Sequence, residues 1–161
     1  MEDIRVLAFF YIIQAALMGF VGMALIGVRL SWKQVLLIGL MQGIVVYLCR
    51  GLCAIFGLPF GSHSFISFLS LIVLFRLVLK MRWGIDFAAA SLAFITVMLS
   101  EGLTAPVLYT YAPHVFQNLD NDVRRYVWLS YCSDWLLIVS ALFLGTTKYK
   151  LMDFRGQSGK V

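Results

Sequence analysis

Five long apolar runs leave this chain few ways to fold. Segments of roughly 5–28, 34–57, 63–81, 85–108 and 125–147 are each mostly apolar, and each has about the 20 residues that an α-helix needs to cross a hydrocarbon core. Hydrocarbon offers no water to backbone N–H and C=O groups, so such a run must satisfy them internally, as a helix does. Of the 161 residues, 61% are hydrophobic and 13% charged, against about 45–50% and about 25% in a soluble domain. The expected fold is an all-α integral membrane protein. It is a five-transmembrane-helix bundle forming one domain over 1–150, with a polar cytoplasmic tail at 151–161. That leaves no length for a soluble catalytic domain. The first run opens on Glu2 and Asp3 with Arg5 alone opposing them, and it has no small-residue cleavage pattern. It therefore reads as a span and not as a signal peptide.

The basic residues orient the bundle. Arg29 and Lys33 fall between the first two spans, Arg76, Lys80 and Arg82 at the third–fourth junction, and Lys148, Lys150, Arg155 and Lys160 after the fifth. These places share one side of an alternating topology. The other side holds Arg5, Arg124 and Arg125, the last two offset by Asp120 and Asp122. Lys and Arg accumulate in cytoplasmic loops, so the N-terminus is expected outside and the C-terminus in the cytoplasm. The net charge of +5 then reflects topology, not nucleic-acid binding. Trp32, Trp83, Tyr109, Tyr111, Tyr126 and Trp128 fall near the expected interfaces, as an aromatic belt does.

Four ionisable residues stand well within the spans: Arg50, Arg76, Glu101 and Asp134. Intramembrane charges are rare, usually face the bundle interior and are functional candidates by default. Counting 1.5 Å per residue from the span centres, Arg50 and Glu101 each lie about 6 Å toward the outside, and Asp134 and Gln14 about 3 Å. Four polar side chains from four helices thus fall in one slab of the outer half. Arg76 lies in the inner half and can snorkel to the cytoplasmic interface. Gly39, Gly43, Tyr47, Arg50, Ala54 and Gly57 form one stripe of the second span; Ser130, Asp134, Ala141 and Gly145 do the same on the fifth. Small residues allow close helix approach, so both stripes are expected to face inward. Arg50 would then meet a carboxylate, a partner for charge-assisted bonds. One cation against two acids leaves the cluster formally at −1. Such a cluster reads as a structural clamp that fixes helix register, as an outward ligand or ion pocket in which Arg50 recognises an anionic group, or as part of a proton relay.

The remaining candidates have plainer readings. Cys49 and Cys53 share a face of the second span, but without a C-x-x-C or clustered His they read as small buried hydrophobes. With Cys132 they make an odd number, which argues against a disulfide framework. His63 follows a Gly-Ser at the outer start of the third span, where Ser62 or Ser64 can cap the helix. It is a possible pH-sensitive gate, against the simpler reading of an interfacial residue. His114 sits beside Pro113 in the outer loop. GLMQG at 39–43 fits G-x-x-x-G and can pack within the bundle or across a dimer. Pro106 is a candidate kink. Met18, Met23, Met41 and Met98 read as packing. There is no G-x-S-x-G, H-E-x-x-H or Walker sequence, so no enzymatic activity, cofactor or metal site is expected.

One run carries a resemblance. GLPFGSHSFISFLSLIVLFRLVLKMRWGIDFAAASLAFITVMLSEGL at 57–103 resembles the membrane-embedded sensor region ahead of the kinase in some Firmicutes sensor histidine kinases of the GHKL type. The likeness rests on Leu58, Pro59, Phe60, Gly61, His63, Lys80, Ser100 and Glu101. It covers about a third of the chain and carries no dimerisation helix, phosphoacceptor His or ATP-binding domain with it. The resemblance implies a non-enzymatic sensory module of a bacterial cytoplasmic membrane that signals through a partner protein or a homo-oligomer within the lipid bilayer. A small-molecule or ion transport component is the alternative, and a structural or assembly subunit a third. A full carrier is disfavoured by the lack of inverted repeats and of a Gly/Pro-broken helix pair. The orientation has a direct test. A cysteine placed at Ser62, with the native cysteines removed, should react with a membrane-impermeant maleimide added to intact cells. Reaction only from the cytoplasmic side would reverse the topology.

Overall fold

The computed structural model describes residues 3–57, 62–112, 123–147, 149 and 151. All regular structure among them is helical. Helix α1 is Ile4–Leu25, α2 Trp32–Phe56, α3 Ser62–Leu79 and α4 Trp83–Tyr111. Each is long and apolar enough to cross a membrane. The expected fifth span is two helices, α5 (Val123–Ser133) and α6 (Trp135–Thr146), bent by 60° where Asp134 separates them. This corrects the continuous helix expected over 125–147. The 58–61 segment, the 113–122 segment with His114, Asp120 and Asp122, and the basic residues Lys148, Lys150, Arg155 and Lys160 lie outside the described residues.

Local chemistry sets the helix ends. Ser31 and Gln34 form a capping box at the start of α2, with the Ser31 hydroxyl accepting from the Gln34 N–H and the Gln34 side chain accepting from the Ser31 N–H. Two orphan donors are satisfied reciprocally there. Gly57 closes α2 in the left-handed conformation at φ +60°, which glycine adopts without steric cost. Lys80 takes φ +52° in the short turn from α3 into α4. Helix α4 continues past Pro106 to Tyr111, three residues beyond the expected end. Gly102 lies four positions before Pro106, where a ring meets the preceding turn, and it has open space around it.

Helix α1 is the hub. It packs on α2, α4 and α6, while α3 packs on α2 and α4. Close approach comes from glycine. A Cβ on Gly39 would lie 2.6 Å from the Ala16 Cβ, and one on Gly43 2.9 Å from Ile12. The 39–43 glycine pair therefore seats α2 against α1 inside the bundle. On α1, a Cβ on Gly22 would run into the Ala89 carbonyl oxygen of α4. Met23, Ile26, Ile38, Phe75, Ala89 and Ala93 form the core toward the basic end of the bundle, and Val21, Val97, Leu137 and Leu144 the core between α1, α4 and α6. Gln42, 2% exposed, donates to the Ser67 carbonyl at 2.8 Å and accepts from Ser70 at 3.0 Å. This polar tie joins α2 to α3.

The outward faces are apolar as well. Leu40, Leu52 and Ile55 on α2, Leu69 and Leu77 on α3, Phe87 and Leu103 on α4, and Leu142 and Phe143 on α6 are all exposed. Patches of this extent are rare on water-soluble monomers and suit hydrocarbon. The small-residue stripes are only partly internal. Ala54 and Gly57 are exposed at the end of α2, and Gly145 on α6 has nothing within 4 Å. Met18 and Met23 pack in the core, whereas Met41 and Met98 face outward.

The glycines predict a contrast. Gly22→Ala and Gly39→Ala should each destabilise the bundle by about 1–3 kcal/mol through overpacking, read as a lower thermal unfolding midpoint in detergent. Gly102→Ala, in open space, should leave the midpoint unchanged or raise it.

Candidate functional site

Two irregular helices meet at the end of the bundle opposite the basic loops. In α1, residues Leu7–Tyr11 form a π-helical turn, closed by the Ile12 N–H bonding to the Leu7 carbonyl. Such turns leave backbone groups without the usual partner and recur at functional sites. Here the Tyr131 hydroxyl of α5 donates to the Phe9 carbonyl. Beside it the Tyr11 and Tyr126 hydroxyls lie 3.3 Å apart, and the Phe10 and Tyr131 rings meet edge to face at 5.5 Å. The turn of α1 and the start of α5 are thus fitted to one another.

The second irregularity is the break at Asp134. Ending one helix and starting another orphans carbonyls on one side and N–H groups on the other. Ser100 of α4, fully buried, answers both: its hydroxyl donates to the Ser133 carbonyl and accepts from the Leu136 N–H at 3.1 Å. Asp134 itself bridges the halves, its N–H bonding to the Ser130 carbonyl and its carbonyl accepting from Ile138. One turn along α4, the Thr104 hydroxyl donates to the Ser100 carbonyl at 2.7 Å and accepts from the Trp135 indole at 3.1 Å. The Ser100–Thr104 edge of α4 is the shelf on which the bend rests.

The four residues expected in one slab gather around this break. Asp134 is 2% exposed, and neither carboxylate oxygen has a hydrogen-bond partner. Gln14 approaches it from α1 closely enough to interact, without hydrogen-bonding geometry to either oxygen. Glu101 of α4 acts electrostatically on Asp134, and Arg50 of α2 on Glu101. The Arg50 guanidinium stands 5.4 Å from the centre of the Tyr11 ring, within the range of a cation–π contact. Asp134 and Arg50 are set deep or half-deep in the bundle, whereas Glu101 reaches its surface. The cluster therefore runs from a buried acid to an exposed one, with Arg50 over an aromatic face at its side.

Other candidates stand elsewhere. His63 is in the first turn of α3, its ring 3.4 Å from the Ser64 hydroxyl and its carbonyl accepting from Ser67. Arg76 lies over the Trp83 ring at 5.6 Å. Cys49, Cys53 and Cys132 are free thiols. Among the described residues no group of three or more His, Cys, Asp or Glu gathers as a metal site would require. The bend leaves an open apolar hollow of about 350 Å³ lined by Trp128, Tyr131, Cys132, Trp135, Ile138 and Val139, on a face that the acids do not line.

Sequence reasoning missed three parts of this arrangement. No glycine or proline marks the break, so periodicity reads straight through it. Ser100 and Thr104 were visible as a polar i, i+4 pair beside Glu101, the available signal for a shelf. Asp86, fully buried with both oxygens unpartnered near Arg76, is a second interior acid at the basic end of α4. No protein-family model, curated protein or solved structure matches the chain.

Ser100→Ala removes a donor and an acceptor from a buried break at once. It should destabilise the protein by about 1–3 kcal/mol and accelerate amide exchange at Leu136. Unchanged exchange there would show that the break does not depend on this hydroxyl.

Proposed function

We propose that the chain is a multi-pass protein of a bacterial cytoplasmic membrane, with its N-terminus outside, that works as a non-enzymatic sensory or regulatory module. The apolar outward surface, the uneven distribution of Lys and Arg and the resemblance over 57–103 all support this reading. The observation that carries it is the bend at Asp134. A broken span whose hinge holds a buried acid can convert a change at the polar cluster into a change in helix direction, because packed helices switch between discrete arrangements and do not deform continuously. Helix α6 leads from the hinge to the basic end. There Arg29 donates to the Thr147 carbonyl at 3.1 Å, and the Leu151 N–H bonds to the Leu25 carbonyl at 2.7 Å. A shift of α6 would reach the cytoplasmic face through these ties, where a partner protein reads it.

The same break favours a second reading. Secondary transporters hold substrates and coupling ions at discontinuous helices near the bilayer midplane, so a transport component is the alternative. Arg50 separates these readings from a purely structural clamp. In a strain lacking the gene, wild-type protein should restore the normal expression profile. Arg50→Ala should reach the membrane at wild-type levels, keep its helical circular dichroism and fail to restore the profile. Loss of the folded protein would mark a clamp, since stripping one partner from buried charges is strongly destabilising. Restoration of solute or ion flux in proteoliposomes, with the expression profile unaffected, would favour transport.

A further inference from the structure

The break at Asp134 presents a chemical problem that the rest of the fold leaves open. A carboxylate in hydrocarbon without well-formed hydrogen bonds is far from stable, yet neither Asp134 oxygen has a hydrogen bond of good geometry, the Gln14 amide only approaches it, and the residue is 2% exposed. Charged and titratable groups reach it from several elements. From α4 comes Glu101, from α2 beyond it Arg50, and from α5 Tyr131. Helix α1 adds the neutral amide of Gln14 and, toward α5, the Tyr11 hydroxyl bonded to Tyr126. Arg50, Glu101 and Asp134 in their charged forms sum to −1, so the cluster is one positive charge short of neutral.

We propose that Asp134 is a proton-exchange site, and that this proton is the species the module senses; the second half of the statement rests on the sensory reading above. A proton supplies the missing charge and needs no cavity. It also needs no further ligands, which matters because no three metal-ligating side chains gather among the described residues. Gln14 fits the role of partner to both states. Its amide N–H donates to the carboxylate, and its carbonyl accepts from the carboxylic acid, so a turn of the amide follows the charge. On release the Asp134 O–H bond breaks, the electron pair stays on the carboxylate and the proton passes to water. Glu101, in electrostatic contact with Asp134, is the adjoining acid that can take the proton up, and Arg50 acts on it in turn. Ser100 holds the backbone of the break and leaves the carboxyl free to exchange.

The consequence falls on the hinge. Asp134 is the N-cap of α6, at the end of the helix where the dipole favours a negative side chain and offers nothing to a neutral one. Losing or gaining the proton changes that interaction at the point where the chain bends, and so biases the direction of α6.

The test uses the full chain in lipid nanodiscs with carbon-13-labelled aspartate, followed by infrared difference spectroscopy through a pH titration. The expected result is a labelled protonated-carboxyl band that titrates as one group, survives in Asp86→Asn and is lost in Asp134→Asn. In Asp134→Glu, which keeps the acid if the asparagine variant fails to fold, the titrating band should move from labelled aspartate to labelled glutamate. Gln14→Leu should shift its midpoint. A wild-type protein with no titrating aspartate band, or a band that persists in Asp134→Asn, overturns the proposal. A band that behaves as expected in a protein whose Asp134→Asn variant fully restores the cellular expression profile upholds the proton site and removes the sensory role.

Discussion

The rest of the structure depends on how a broken helix is satisfied away from water. In an apolar medium each unpaired backbone group costs several kcal/mol, so a helix can be interrupted only where side chains answer the freed groups. One hydroxyl meets most of that requirement here, with Ser100 taking the Leu136 N–H and giving its proton to the Ser133 carbonyl. Once Ser100 is fixed, so is the contact of α4 with the bend. That contact sets Glu101 beside Asp134 and aligns Thr104 with the Trp135 indole.

The opposite wall follows the same rule. The π-helical turn of α1 frees a carbonyl, and the Tyr131 hydroxyl of α5 takes it. Each departure from regular geometry is thus met by a hydroxyl from another helix, Tyr131 for the turn of α1 and Ser100 for the break. Between them lie Tyr11, Gln14 and Asp134, with Arg50 arriving from α2 over the Tyr11 ring. Arg50 can stand there because Gly39 and Gly43, two and three turns earlier, bring α2 hard against α1. A glycine pair that carries no chemistry therefore determines where a guanidinium sits.

The two interior acids differ in a way that bears on function. Asp86 is buried in the core near the basic end, close to Arg76, which is itself held over Trp83. Asp134 lies at a bend and is in electrostatic contact with a second acid, Glu101. Burial is common to both; of the two, Asp134 combines it with a hinge and a neighbouring acid.

Sequence alone determined that the chain is helical and apolar on its outer faces, because 20-residue apolar runs have no other way to satisfy their backbones. Counting the fixed rise per residue also grouped Gln14, Arg50, Glu101 and Asp134 as candidates for one slab. The sequence named the glycine pair of α2 but left the partner open, and it treated the fifth span as straight. Tertiary structure decided those matters. The partner of Gly39 is α1 because Ala16 and Ile12 present a surface into which a glycine fits. The break at Asp134 carries no glycine or proline to announce it, because what makes it tolerable is a serine more than thirty residues away, and a partner brought in by packing leaves no mark in the local sequence.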